Sequence, residues 1–334
     1  MVLLGEDEKH KVGAAASMGV RHMMIPNDKP SSFGVPLDLQ EQSPWTRRIH
    51  QWKEAAAIRS RVPLSWFLTP PMAARPGILT YHRIVPIRRG CQPSWNVTPD
   101  RFRSQMQGLL RRGYRPWPLT QLVDMVAAGR PIDDNVFVVT FDCGYANNYL
   151  HALPILDQLG IPATVFLATG YLNSGEPFPF DDWPLKGSWK VNSDTWRPLA
   201  LTECHTLLRS GVIEFGTQTH THEDFRNRAA AFRGNLRTSV DFLYHHFGIV
   251  RPPMALPYGI ISRRFAGPQY YLTAYEEGTC CCLTAEEELV VPGTTPFGWG
   301  RFIAEQHDTA DTLAVKLGGW RARTSRQTIG VARG

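Results

Sequence analysis

The sequence has no apolar run approaching the roughly 20 residues that a membrane-spanning helix requires, so no integral membrane segment is expected. Near the start, Glu6, Asp7, Glu8, Lys9 and His10 interrupt the stretch where a secretory signal would be apolar, and a cytoplasmic location is the expectation. Cysteine is scarce, with six in 334 residues, and Cys280, Cys281 and Cys282 are consecutive in an apolar run. That spacing argues against a disulfide framework and suits a buried strand of reduced thiols. Long runs of like charge are missing too. The net charge of +6 is scattered and partly made near the ends, by Arg47, Arg48, Arg321, Arg323, Arg326 and Arg333, so no nucleic-acid partner is expected. No repeat of fixed period is present.

What is present is a chain with 43% hydrophobic residues, enough for one large core. Residues 1–43 mix Gly, Pro, Ser and charge without periodicity and read as a disordered arm or an artefact. Residues 44–75 read as a helix (Trp45, Ile49, Trp52, Ala56) and a linker stopped by Pro70 and Pro71. Residues 322–334 read as a basic tail. Between them, over 76–321, short apolar runs alternate with amphipathic stretches. Strands are predicted at 78–81, 136–140, 163–167, 212–215, 254–256 and 280–283, with a last one near Trp299–Phe302. Helices are predicted at 99–112, 147–159, 202–210, 229–247, 265–277 and 309–320. Strands separated by helices pair in parallel through right-handed crossovers, and about seven such units in this length predict an α/β fold, a distorted (β/α) barrel with its chemistry at the C-terminal ends of the strands.

Three polar clusters each follow directly on an apolar strand: Thr140-Phe141-Asp142-Cys143-Gly144-Tyr145, Thr217-Gln218-Thr219-His220-Thr221-His222 and Pro257-Tyr258-Gly259. In order and spacing they resemble the NodB-type polysaccharide deacetylases, whose motifs are Thr-Phe-Asp-Asp-Gly-Tyr, His-(Ser/Thr)-x-x-His and a Pro-Tyr-Gly turn. The resemblance covers roughly Ile78 to Trp320. It implies the deacetylase barrel fold, a divalent metal, zinc above all, and removal of N-acetyl groups from an N-acetylhexosamine-containing polysaccharide or glycan.

Residue by residue, the resemblance makes Asp142 the general base and places metal ligands at Cys143, Gln218 and His222, where the family has one carboxylate and two imidazoles. A thiolate is a good zinc ligand, whereas an amide oxygen is a weak one, so the ligand set is altered. For Cys143, a ligand and a small thiol in a retired site are both open readings. His220, two residues from His222, points elsewhere and reads as a solvent-facing loop histidine. The backbone N–H of Tyr258, positioned by Pro257, is the expected oxyanion donor. Tyr81-His82 matches a pair in the subgroup acting on bacterial exopolysaccharides, which makes His82 the expected general acid, with His307 a weaker one. Asp182 and Trp183, in an aromatic and acidic insert, and Arg301, which is also placed to pair with a site carboxylate, are the further expected substrate contacts. A catalytically silent carbohydrate-binding protein is the alternative, and a hydrolase of a small amide or O-acetyl ester a third reading.

Overall fold

The computed structural model describes residues 75–86, 94–133, 135–181 and 192–318. The elements begin with β1 (Gly77–Tyr81), β2 (Arg83–Ile84), β3 (Asn96–Val97), α1 (Pro99–Arg111), β4 (Arg115–Pro116), α2 (Leu119–Ala127), β5 (Val136–Phe141) and α3 (Leu153–Leu159). They continue with β6 (Ala163–Leu167), α4 (Leu201–Arg209), β7 (Ile213–Thr217), α5 (Ala229–Phe247), β8 (Pro253–Ala255) and α6 (Pro268–Glu276). The last are β9 (Cys281–Leu283), β10 (Phe297–Trp299), β11 (Phe302–Ile303) and α7 (Ala310–Leu317). The predicted arm, the 44–74 segment and the basic tail lie outside the described residues, as do Asp182 and Trp183.

The strands of the main sheet pair in parallel in the order β10-β9-β8-β7-β6-β5-β1-β11, with β4 beside β5. β10 and β11 stand at opposite ends of that order, yet only Gly300 and Arg301 separate them in the chain. So short a link reaches about 11 Å at most. The sheet must therefore curl until its edges nearly meet, which is the barrel expected from the sequence, with Arg301 at the seam.

Period-two alternation sorts the strand residues into two layers. Leu79, Phe137, Val139, Phe141, Val165 and Phe215 pack with Phe102, Met106 and Leu109 of α1 and Leu156 of α3. Ile78, Val138 and Phe166 belong to a second cluster with Leu119, Leu122 and Val123 of α2. A Cβ on Gly216 would lie 2.5 Å from Phe166, so glycine there is what lets the phenyl ring fill its place. Thr120, at the start of α2, bonds Glu214 with its hydroxyl at 2.5 Å, and Thr164 bonds the same carboxylate at 2.6 Å, so α2 closes the N-terminal end of the barrel. The mouth is left at the other end.

Among the described residues the predicted helices appear within a few residues of their expected bounds, the 147–159 segment as a π-helical turn over Asn148–Ala152 that runs into α3. α1 starts as its sequence dictates, with Thr98 capping the Arg101 N–H and Pro99 in the first turn. α2 was absent from the predicted elements, although Leu119, Leu122, Val123 and Val126 carry helical spacing; Trp117-Pro118 and the short run masked it. Cys281 and Cys282 are buried in β9, and the described cysteines are all free. No helix among the described residues is long and apolar enough to cross a membrane.

Candidate active site

Asp142 is the residue immediately after β5, tied to the neighbouring strand by its N–H to Tyr81 O at 2.9 Å. Its carboxylate is gripped at both oxygens by Arg301, at 2.5 and 3.0 Å. The same guanidinium donates to Thr284 O at 3.0 Å and to the Thr80 hydroxyl at 3.1 Å, inside the barrel. Burial alone would raise the Asp142 pKa, but the charges of Arg301 and His82 and hydrogen bonds from Arg301 and Gln218 outweigh it and hold the carboxyl below its ordinary value. Of the two expectations for Arg301, a substrate contact and a pair with a site carboxylate, the structure shows the second: at 2% exposure it holds Asp142.

His82 follows β1, with Nε2 4.0 Å from Asp142 Oδ2 and its ring stacked on Trp95. Burial lowers its pKa to about 4 against the pull of Asp142, so at neutral pH the imidazole is uncharged.

Cys143 adopts a left-handed backbone (φ 72°), a conformation that suits Asp or Asn better than Cys. Its thiol is packed among Tyr145, Ala168 and Phe178. Burial first, then the Asp142 charge, push the thiol well above its ordinary value, so it stays protonated. Gln218 leaves β7 beside it, and its Oε1 accepts the Cys143 N–H at 2.7 Å. His222 (φ 52°) stacks on Phe180 at 4.0 Å and meets Tyr258 edge to face at 5.1 Å. His222 Nδ1 is buried and without a hydrogen-bond partner among the described residues. The intervening loop is fixed to α5 by Asn235, whose Oδ1 accepts from His220 and Thr221 N–H. His220 is half-buried against the Thr169 hydroxyl at 3.0 Å, which corrects its reading as solvent-facing.

Pro257-Tyr258-Gly259 forms a tight turn in which the Gly259 N–H reaches back to Pro257 O at 2.7 Å across a Tyr258 of φ 61°. This is the rare, strained kind of γ-turn. The Tyr258 N–H donates to nothing among the described residues, as an expected anion or carbonyl donor requires.

Sequence reasoning missed one buried network. Arg83, directly after His82, pairs with Asp181 and donates to the Tyr145 hydroxyl at 3.0 Å, which in turn donates to Asp181 at 3.1 Å. Asp181, one position before the expected Asp182, thus carries the insert onto the mouth, and Phe178 and Phe180 cover Cys143 and His222. The triplet Tyr81-His82-Arg83 held the signal.

The residues present do not fit a divalent ion as they stand. One expected ligand is a protonated thiol in an apolar cluster, a second has its oxygen engaged by a backbone N–H, and only His222 offers an unengaged nitrogen. Among the described residues, three His, Cys, Asp or Glu groups close enough to share an ion occur at Glu305, His307 and Asp308 alone. There Lys316 already holds Asp308 at 2.7 Å.

The titrating groups set an acid sensitivity. His82 and His222 both sit near 4 in the fold, with burial the leading cause, so the unfolded chain binds more protons between pH 6.5 and 4. Stability should therefore fall as pH drops through that window, by on the order of 3 kcal/mol for buried His222 and less for His82, whose side chain is 21% exposed. Below it, Asp142 adds a further loss as its depressed carboxyl takes up a proton. Urea unfolding at stepped pH should show His222→Leu flattening the upper part of the profile; an unchanged slope would mean that His222 is not buried neutral.

The sequence model of the polysaccharide deacetylase family matches residues 129–271. A putative polysaccharide deacetylase of Bacillus subtilis (strain 168), YxkH, is 30% identical over 140 residues, 42% of this chain and 47% of the relative. The poly-beta-1,6-N-acetyl-D-glucosamine N-deacetylase of Escherichia coli (strain K12) is 25% identical over 127 residues, 37% of this chain and 18% of the relative. The chain thus spans about half or less of the length of these curated relatives. In fold it resembles IcaB from Ammonifex degensii (TM-score 0.61, 21% identity, 75% of this chain and 100% of that one). It also resembles the Streptococcus pyogenes deacetylase PplD (TM-score 0.59, 17% identity, 74% and 99%). Over residues 129–271 the chain thus resembles the polysaccharide deacetylase family, and the parallel, seam-closed barrel agrees with the fold of the solved deacetylases it is similar to.

Proposed function

We propose that this chain binds an N-acetylhexosamine-containing polysaccharide or glycan at the Asp142 mouth and does so without a resident divalent ion. The observation that carries this reading is the 2.7 Å hydrogen bond from the Cys143 N–H to Gln218 Oε1. It closes one expected ligand position from within, beside a thiol that keeps its proton. The groups left at the mouth suit recognition. An ionised Asp142 accepts from a sugar hydroxyl or amide N–H, the Tyr258 N–H donates to an acetyl carbonyl, and the neutral His82 serves either way. The family and the E. coli relative, named for an N-acetylglucosamine polymer, support the substrate class.

A zinc-dependent N-deacetylase is the second reading. The Asp142–Arg301 pair and the strained Tyr258 turn favour it, since a barrel kept only as a scaffold needs neither. It requires Gln218 to release the Cys143 N–H and Cys143 to lose its proton. Titration calorimetry with N-acetylglucosamine oligomers, paired with an acetate assay with and without added zinc, separates the two. The first reading expects saturable binding and no acetate. Acetate release that grows with zinc and disappears in Asp142→Asn would establish the second, and absence of both binding and release would remove both.

A further inference from the structure

A left-handed backbone at a bulky residue such as Tyr258 persists only where its surroundings over-determine it. Those surroundings are Thr284, Ala285 and Glu286, which follow directly on β9. The Ala285 N–H donates to Gly259 O at 2.9 Å. The Glu286 carboxylate, through Oε1, accepts the Ile261 N–H at 2.8 Å. A Cβ on Gly259 (φ 61°) would lie 2.7 Å from Ala285 N, and one on Gly300 would collide with Glu286 O, so the chain passes this segment closely at both glycines. The same segment also holds the seam. Thr284 O accepts from Arg301 Nε at 3.0 Å, and Glu286 O accepts the Arg301 N–H at 2.7 Å. Thr284, Ala285 and Glu286 therefore fix both the arginine that grips Asp142 and the turn that carries the Tyr258 N–H.

We propose that Glu286 is a positioning residue, whose carboxylate pins the Ile261 N–H and so sets the direction of the Tyr258 N–H. Glycine tolerates a wide range of backbone angles, so Gly259 alone does not settle how the peptide units of the turn are aimed. The Glu286 bond supplies a second fixed point: Ala285 holds the turn at Gly259, and Glu286 holds the chain just beyond it at Ile261. A donor aimed in advance loses less freedom when an acetyl carbonyl arrives. The use made of that donor rests on the glycan reading above, whereas the strut itself does not.

The test compares the full wild-type chain with Glu286→Ala, Glu286→Ser and Glu286→Gln, by calorimetric titration with a tetramer of N-acetylglucosamine and by a thermal melt. The amide resonance of Tyr258 is followed in the same chains carrying isotope-labelled tyrosine, and is assigned by its loss in Tyr258→Phe. Alanine and serine cannot reach the Ile261 N–H, whereas glutamine keeps an oxygen there. Glu286→Ala and Glu286→Ser should bind about fivefold more weakly, the scale of one net hydrogen bond, and Glu286→Gln should stay within about twofold of the wild type. The Tyr258 amide should shift in the first two and keep its wild-type position in the third; the serine variant decides the matter if the alanine variant is unstable. Wild-type affinity in both short variants, a loss that glutamine does not restore, or a Tyr258 amide that none of the substitutions moves would each overturn the positioning role. Wild-type chain that fails to bind the tetramer would overturn the glycan reading, and the resonance then decides the strut by itself.

Discussion

Replacing Arg301 with methionine is expected to destabilise the fold at neutral pH by about 3–5 kcal/mol, the range for breaking one side of a buried ion pair. Both partners are inside, Arg301 at 2% and Asp142 at 5% exposure, and the two charge-assisted bonds of 2.5 and 3.0 Å are the main cause of the depressed Asp142 carboxyl. Without the guanidinium, burial is left to act alone and raises that pKa. The deficit should consequently shrink as pH falls and the stranded carboxylate takes up a proton, whereas the wild type loses stability over the same descent. Adding Asp142→Asn to Arg301→Met should recover a large part of the loss, because no buried charge is then unpaired. Urea unfolding at pH 7 and pH 5 measures the wild type and both variants. A single-variant loss below about 1 kcal/mol, the scale of a surface pair, would mean that the seam does not depend on this contact.

The second large effect concerns the ligand positions. Cys143→Asp combined with Gln218→His should raise zinc affinity by at least about 100-fold, since changes to outer-shell partners alone reach the 10–100-fold scale. Each change acts through a named feature. Aspartate tolerates the left-handed backbone at position 143 better than cysteine and is ionised at neutral pH, while the buried thiol is not. Histidine at 218 frees the Cys143 backbone N–H from Oε1 and supplies a second imidazole beside His222, whose Nδ1 is already without a partner among the described residues. Gln218→His alone should gain less, because the protonated thiol remains.

Much of this architecture was legible in the sequence because parallel strands buried on both faces write themselves as continuous apolar runs, and a polar cluster after such a run can only emerge at the mouth. Asp142, Gln218, His222 and Tyr258 were found in that way, and Arg301 was suspected of pairing with a site carboxylate. What the sequence did not disclose depends on side-chain geometry between distant segments. That Arg301 is enclosed follows from the seam, which exists only once β10 and β11 are known to be the sheet's two edges. The same holds for Gln218: a glutamine reads equally as ligand or strut until its oxygen is seen on the Cys143 N–H. Asp181 was passed over for its neighbour Asp182 because adjacent acids in a loop carry no periodicity to distinguish them. Glu286 is one of three consecutive glutamates, and its bond to the Ile261 N–H is a tertiary fact.

The reading proposed above depends on internal hydrogen bonding and a protonated thiol occupying the positions where the resemblance to polysaccharide deacetylases implies metal ligands. Calorimetric titration of the wild-type chain with zinc at neutral pH, run beside the Cys143→Asp/Gln218→His variant, tests it most directly. The wild type should show no saturable uptake at the Asp142 mouth, and the variant stoichiometric uptake. Tight one-to-one binding by the wild type that His222→Leu abolishes would contradict it.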